Sequence, residues 1–160
     1  MKKKIEDKSP KEKLPLTKSQ KGKLSRAQGA RFELKVRNHL EENKWITDKW
    51  TKNVDLELKK LIPAKRKFNP FKKILSIGTG FPDFIAFKQQ VDKTEGDFQS
   101  YKLIAIEAKQ KGILDKVEKE KCQFLLDKNI FKHILIAKKG EKRGTIEYID
   151  FATKKPFSIF

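Results

Sequence analysis

Apolar and polar positions along the chain follow two periods, and the switches between them mark out the elements. From about Gln28 to Asn43, Phe32, Val36 and Leu40 recur at four-residue spacing, with Gly29 and Glu33 beside them on the same side. That spacing predicts a helix with one buried stripe. Trp45 to Trp50 alternates as a strand does and follows after a short turn. Two apolar runs, Phe84-Ile85-Ala86-Phe87 and Leu103-Ile104-Ala105-Ile106, flank a polar connection containing Thr94-Glu95-Gly96-Asp97, which predicts a two-stranded hairpin. A second helix is expected from about Leu114 to Lys128, with Val117, Lys121, Phe124, Leu125 and Lys128 on one side and Cys122 near it. Lys132 to Lys138 reads as a buried strand. Gly140-Glu141-Lys142-Arg143-Gly144 then turns into a last strand, Thr145 to Phe151. In the hairpin, Ile85, Phe87, Leu103 and Ala105 face one way and Phe84, Ala86, Ile104 and Ile106 the other. A sheet apolar on both sides needs cover on both, so the expected fold is α/β, a mixed central sheet with helices on both faces.

The charged residues of the hairpin sit at its ends. An antiparallel register centred on Glu95 puts Asp83 opposite Glu107, and alternation puts Glu107 and Lys109 on one face with Asp83. Two carboxylates that close raise each other's pKa unless a cation lies between them. Oxygen ligands of this kind suit Mg²⁺, which keeps several waters and often takes phosphate oxygens as well. Glu33 has two readings: an ordinary pair with Arg37 four residues on, or a carboxylate reaching over the sheet toward the acidic cluster. Gly78-Thr79-Gly80 leads into Phe81-Pro82-Asp83, where glycines serve either a close approach of backbone N–H groups to a phosphate or a tight lead-in to the strand. No Gly-Lys-Ser/Thr follows, so this is not a P-loop.

Charge changes the picture. The 160 residues suffice for one domain with a core, and they carry a net charge of +18. Such an excess favours a polyanion, nucleic acid before an anionic membrane surface. No apolar run approaches a membrane span, the N-terminus lacks the apolar centre of a secretory signal, and the single Cys122 fits a reducing cytoplasm. With only His39 and His133 beside it, Cys122 reads as a small buried hydrophobe and not as a zinc ligand. Residues 1–26 hold ten Lys/Arg against three Asp/Glu and no aromatic residue, and read as a flexible basic arm ahead of a folded domain over 27–160. Thr51 to Ser76 is a long basic connection with eight Lys/Arg against two Asp/Glu. These two segments supply 13 of the 18 net charges, a concentration expected of a binding surface. Lys65, Arg66, Lys67, Lys72, Lys73 and Lys111 are the candidate phosphate contacts, with Lys116, Lys119 and Lys121 on the second helix open to the same use. Phe68 and Phe71 are suited either to stack on bases or to pin the connection to the core, and Gln123 is a minor candidate for contact with a base.

Pro82-Asp83 followed by Glu107-Ala108-Lys109 resembles the bipartite motif of the PD-(D/E)XK nuclease superfamily, and Gly29-Ala30-Arg31-Phe32-Glu33 resembles its helix with an additional acidic residue. Among its branches the chain is most similar to archaeal Holliday-junction resolvases and VRR-NUC modules, over about Gly29 to Phe151. The resemblance implies a restriction-endonuclease-like fold and a Mg²⁺-dependent DNA nuclease, with Mn²⁺ as a substitute. It implies Asp83, Glu107 and the Ala108 carbonyl as metal ligands, Lys109 as the residue positioning the attacking water, and Glu33 as a metal-linked or water-positioning carboxylate. Structure-selective endonuclease action on branched or flapped DNA in repair or recombination is the expectation, with a homodimer where four-way junctions require two cuts. The connection at 51–76 is longer than a compact resolvase would carry. The alternatives are a basic nucleic-acid-binding protein without catalysis and a factor bound to ribosomal RNA.

Overall fold

The computed structural model describes residues 15–69, 73–77, 80–90 and 100–160, without the side chains of 66, 67, 69 and 74–77. The turn expected around Glu95, together with Phe71, Lys72, Gly78 and Thr79, lies outside the described residues. The first helix, α1 (Lys18–Glu42), begins well before the expected Gln28. Thr17 caps it: its hydroxyl accepts from the Gln20 N–H, and the Gln20 side chain accepts from the Thr17 N–H. This reciprocal capping box satisfies two orphan donors of the first turn without help from a core. Lys18 to Arg26, which composition assigns to a flexible arm, are therefore helical, though exposed.

Strands β1 (Ile46–Lys49), β6 (Phe84–Gln90), β7 (Ser100–Ala108), β8 (Ile134–Lys139) and β9 (Ile146–Asp150) form one sheet in the order β1-β6-β7-β8-β9. Among the described strands only β7 and β8 are parallel, and the helix α2 (Lys116–Asp127) makes the crossover that parallel neighbours need. The sheet is thus mixed and the class is α/β. The hairpin register runs from Phe84 opposite Ile106 to Gln90 opposite Ser100, the register centred on Glu95.

Alternation along β7 divides the core. Ile104 and Ile106 join Phe32, Val36 and Leu40 of α1 on one face; Ala105 joins Cys122 and Leu125 of α2 on the other. Cover on the α2 face is incomplete, since Leu103 is exposed and Phe87 half-buried, where full cover on both faces is expected. The buried stripe of α2 is also rotated from the expected one: Cys122 and Leu125 are at its centre, whereas Val117 and Lys128 face solvent.

The basic connection at 51–76 has structure of its own. It folds into two antiparallel hairpins, β2 (Lys52–Asp55) with β3 (Lys60–Pro63) and β4 (Arg66–Asn69) with β5 (Ile74–Ile77). Val54 is buried among α2 and Phe131, and Leu56 and Leu61 pack on the same cluster, so the first hairpin belongs to the core.

Candidate active site

The candidate residues meet at one rim of the sheet, where β1 and β7 end and β6 begins. Asp83 immediately precedes β6. Its Oδ2 accepts a 2.8 Å hydrogen bond from the N–H of Ala108, the last residue of β7. The lead-in to Asp83 is held by main chain: Gly80 N–H donates to Trp50 O (3.0 Å) and Phe81 N–H to Lys52 O (2.9 Å). Of the two uses open to the described glycine, the structure therefore shows the tight lead-in.

Glu107 points to the α2 side of the rim and is only 5% exposed. Its Oε1 lies 3.2 Å from Lys109 Nζ, and its Oε2 is buried with no hydrogen-bond partner. Burial, then the neighbouring Asp83 charge, pushes the Glu107 carboxyl above the usual range, and the Lys109 ammonium only partly offsets this. Asp83 is also raised, by burial first and by Glu33 among its acidic neighbours, against the lowering effect of the Ala108 N–H. Burial alone would lower Lys109, but its contacts with Glu118 and Glu107 outweigh that and hold its pKa above the ordinary value.

Glu33 is half-buried and lines a cavity with Ala30, Leu34, Arg37, Lys49, Asp83 and Phe84. Arg37 does not pair with it. Its guanidinium engages Glu41 (3.1 Å) and Thr47 (3.0 Å), so the ordinary ion-pair reading of Glu33 is displaced. The face that α1 turns to the rim brings Glu33 toward Asp83.

One side chain in contact with this cluster is not foreseen from the sequence. Glu118, in the first turn of α2, touches Lys109 Nζ through Oε1, while its Oε2 accepts from Asp115 N–H (3.0 Å). Asp115 in turn accepts from Glu118 N–H (2.8 Å), a second capping box. The signal is Asp115-x-x-Glu118 shortly after Glu107-x-Lys109, a helix start that must sit where β7 ends.

The other candidates are spread around this centre. Lys65, Lys73 and Lys111 are exposed; Arg66 and Lys67 belong to β4; Lys72 is outside the described residues. Phe68 is 62% exposed, so it does not pin its hairpin to the core. Lys121 turns inward, donating to Asn53 Oδ1 (2.9 Å) over the Phe81 ring, and Lys116 lies at the edge of Glu120. Gln123 donates to Asp127, away from the rim. His133 pairs with Asp150, and His39 with the Tyr148 hydroxyl, both in structural roles.

Among the described residues no three His, Cys, Asp or Glu side chains are grouped to hold a metal ion. Mg²⁺ does not require three, being ordinarily held by one or two carboxylates with water and phosphate oxygens. A buried carboxylate oxygen with no hydrogen-bond partner, beside a second raised carboxyl, is a donor set that fits an oxygen-binding cation. Among the described residues no helix is long and apolar enough to cross a membrane. No family model, curated protein or solved structure matches this chain.

Proposed function

We propose that this chain is a Mg²⁺-dependent deoxyribonuclease, built on a restriction-endonuclease-like sheet, that hydrolyses phosphodiester bonds in DNA. The observation that carries this reading is the buried, unpartnered Glu107 Oε2 next to Asp83 and Lys109. Two carboxyls held this way are unfavourable when charged, and an oxygen-binding cation relieves both. Asp83 and Glu107 would hold the ion, with the Ala108 carbonyl between them in the chain. Bound there, Mg²⁺ would neutralise phosphate charge and acidify water.

The chain's own residues have separable tasks. Lys109 presents a positive charge beside Glu107, where it favours hydroxide over water and meets the charge that grows on the phosphate oxygens. Water oxygen bonds to phosphorus, the bond to the leaving ester oxygen breaks, and the water's proton is exchanged to solvent or to that oxygen. Glu33 is suited to orient the attacking water from the α1 side. Exposed lysines, including Lys65, Lys73 and Lys111, supply attraction without sequence readout.

The test is cleavage of linear, flap and four-way DNA with and without Mg²⁺. Lys109→Ala is expected to cut about 10²–10³-fold more slowly than wild type, with DNA binding within about twofold. Equal cleavage by the two removes this site. One observation favours a binding protein without catalysis: Lys109 is already engaged by both Glu107 and Glu118. That alternative gives salt-dependent binding and no product at any Mg²⁺ concentration.

Glu118→Gln separates tether from cap. Glutamine serves at the third position of a capping box as glutamate does, but it removes the negative charge that Glu118 sets against Lys109. Cleavage is expected to fall about tenfold through kcat, with the melting temperature changed by less than about 2 °C. Asp115→Ala, which breaks the cap, should do the reverse.

A further inference from the structure

On the side of α1 away from Glu33, a shallow groove of about 290 Å³ is lined by Gln28, Arg31, Phe32, Lys35, Gln110 and Lys139. Positions 28, 31, 32 and 35 form one stripe of the helix; Phe32 is buried and anchors it, leaving the two cations and the glutamine to line the opening. The opposite wall comes from the sheet rim, with Gln110 just past β7 and Lys139 ending β8. The walls are braced: Gln110 Nε2 donates to Gln28 O (2.8 Å), and Lys139 N–H donates to Gln110 O (3.2 Å).

Among the described residues no acidic side chain lines this groove. Among the described residues none of its three cations is in an ion pair, whereas neighbouring Arg37 and Lys138 are matched by Glu41 and Glu147. Like charges gathered around one opening repel, and an anion seated among them reverses that. Planar guanidinium, ammonium and amide donors together suit a phosphate oxygen cluster.

We infer that this groove is a phosphate subsite for a non-scissile phosphodiester of the DNA strand being cut, an inference that rests on the nuclease reading for its substrate. Strand spacing sets its register. Lys139 ends β8, on the strand next to that of Glu107 and three residues past Ile136, which pairs with Glu107, so its backbone stands roughly 11 Å from that of Glu107, at about 4.8 Å across and about 3.3 Å per residue along. Nucleic acid advances about 3.4 Å per nucleotide. The phosphate received here is therefore about three nucleotides from the bond cleaved.

Two measurements on the full chain test this. Titration of ¹⁵N-labelled protein with inorganic phosphate is expected to shift the side-chain amides of Gln28 and Gln110 saturably, and the double variant Arg31→Gln/Lys139→Gln to bind about tenfold more weakly or not at all. DNA binding by the same variant should lose about one unit of salt slope per phosphate contact removed. Lys132→Gln, the loss of one positive charge just before the opposite end of β8, should leave the phosphate titration unchanged. The substituted side chains, Arg31, Lys139 and Lys132, are exposed, so the fold is not at risk. Absence of localised shifts, equal shifts in the double variant, or phosphate binding with an unaltered salt slope each overturns the subsite. If the protein cuts no DNA while phosphate still seats in the groove and the slope still falls, the nuclease reading fails and the phosphate site stands. If DNA is cut but phosphate produces no shifts, the subsite fails and the nuclease reading stands.

Discussion

Glu107→Gln is expected to abolish Mg²⁺-dependent cleavage, by more than about 10³-fold, and yet to give a protein more heat-stable than wild type in alkaline, metal-free buffer. Both effects come from the same atoms. Glu107 is buried, its Oε2 has no partner, and its carboxyl is raised by burial and then by Asp83. Its folded pKa therefore exceeds the unfolded value of about 4.3. Between those two values the folded protein binds more protons than the unfolded chain, so stability falls as pH rises through that window. Asp83, raised in the same direction, adds to the slope. Glutamine carries no charge to bury, and Lys109 keeps its contact with Glu118. Differential scanning calorimetry in EDTA should show the variant melting roughly 3–6 °C above wild type near pH 9, about 1–2 kcal/mol for a chain of this size. The gap should close near pH 5, where Glu107 already carries its proton. Mg²⁺ should stabilise wild type at alkaline pH, by about 2.7 kcal/mol at a hundred times its dissociation constant, and leave the variant unmoved. A variant that melts lower than wild type at pH 9, or that still responds to Mg²⁺, would mean that Glu107 is an ordinary buried acid.

The parts of this arrangement that sequence made legible are those with local periodicity. The register of β6 and β7 follows from alternation and a turn centred on Glu95, and it alone brings Asp83 opposite Glu107. Lysine content hid other elements. In the connection at 51–76, Val54 and Leu61 occupy paired positions of a short hairpin, but the surrounding basic residues masked a two-residue period over strands of only four residues. On α2, the expected stripe counted Lys121 and Lys128 with the apolar residues; burial instead centres on Cys122 and Leu125, which shifts Glu118 to the rim. At the start of α1, net charge argued for a flexible arm while the Thr17–Gln20 capping box argued for a helix, and the local hydrogen bonds prevailed. Glu33 could not be decided from its own helix, because whether Arg37 was available depended on Thr47 of β1.

The same rim depends on a backbone contact that no side-chain pattern discloses, and it carries the largest stability effect expected here. Gly80→Ala should destabilise the protein by about 3–5 kcal/mol, lowering its melting temperature by roughly 10 °C, and should weaken Mg²⁺ binding as well. A Cβ on Gly80 would overlap Lys52 O and stand 2.6 Å from Trp50 O and 2.9 Å from Lys52 C, all main-chain atoms. Gly80 is not among the residues of positive φ, so the requirement is for space and not for a left-handed conformation. The added methyl must force the lead-in away from β2, breaking the bonds from Gly80 N–H to Trp50 O and from Phe81 N–H to Lys52 O. Each lost backbone bond costs about 1 kcal/mol, and repacking an overfilled site costs about 1–3 kcal/mol more. Asp83 follows Gly80 by three residues, and its carbonyl accepts from Trp50 N–H at 3.4 Å, so its carboxylate moves with the displaced segment. Because the obstacle is main chain, Lys52→Ala should give no rescue in the double variant, whereas a clash with the lysine side chain would be relieved. Thermal melts of the single and double variants, each with and without Mg²⁺, separate these outcomes. Wild-type stability in Gly80→Ala would show that the lead-in has room to spare, and with it that Asp83 is not held where the metal reading needs it.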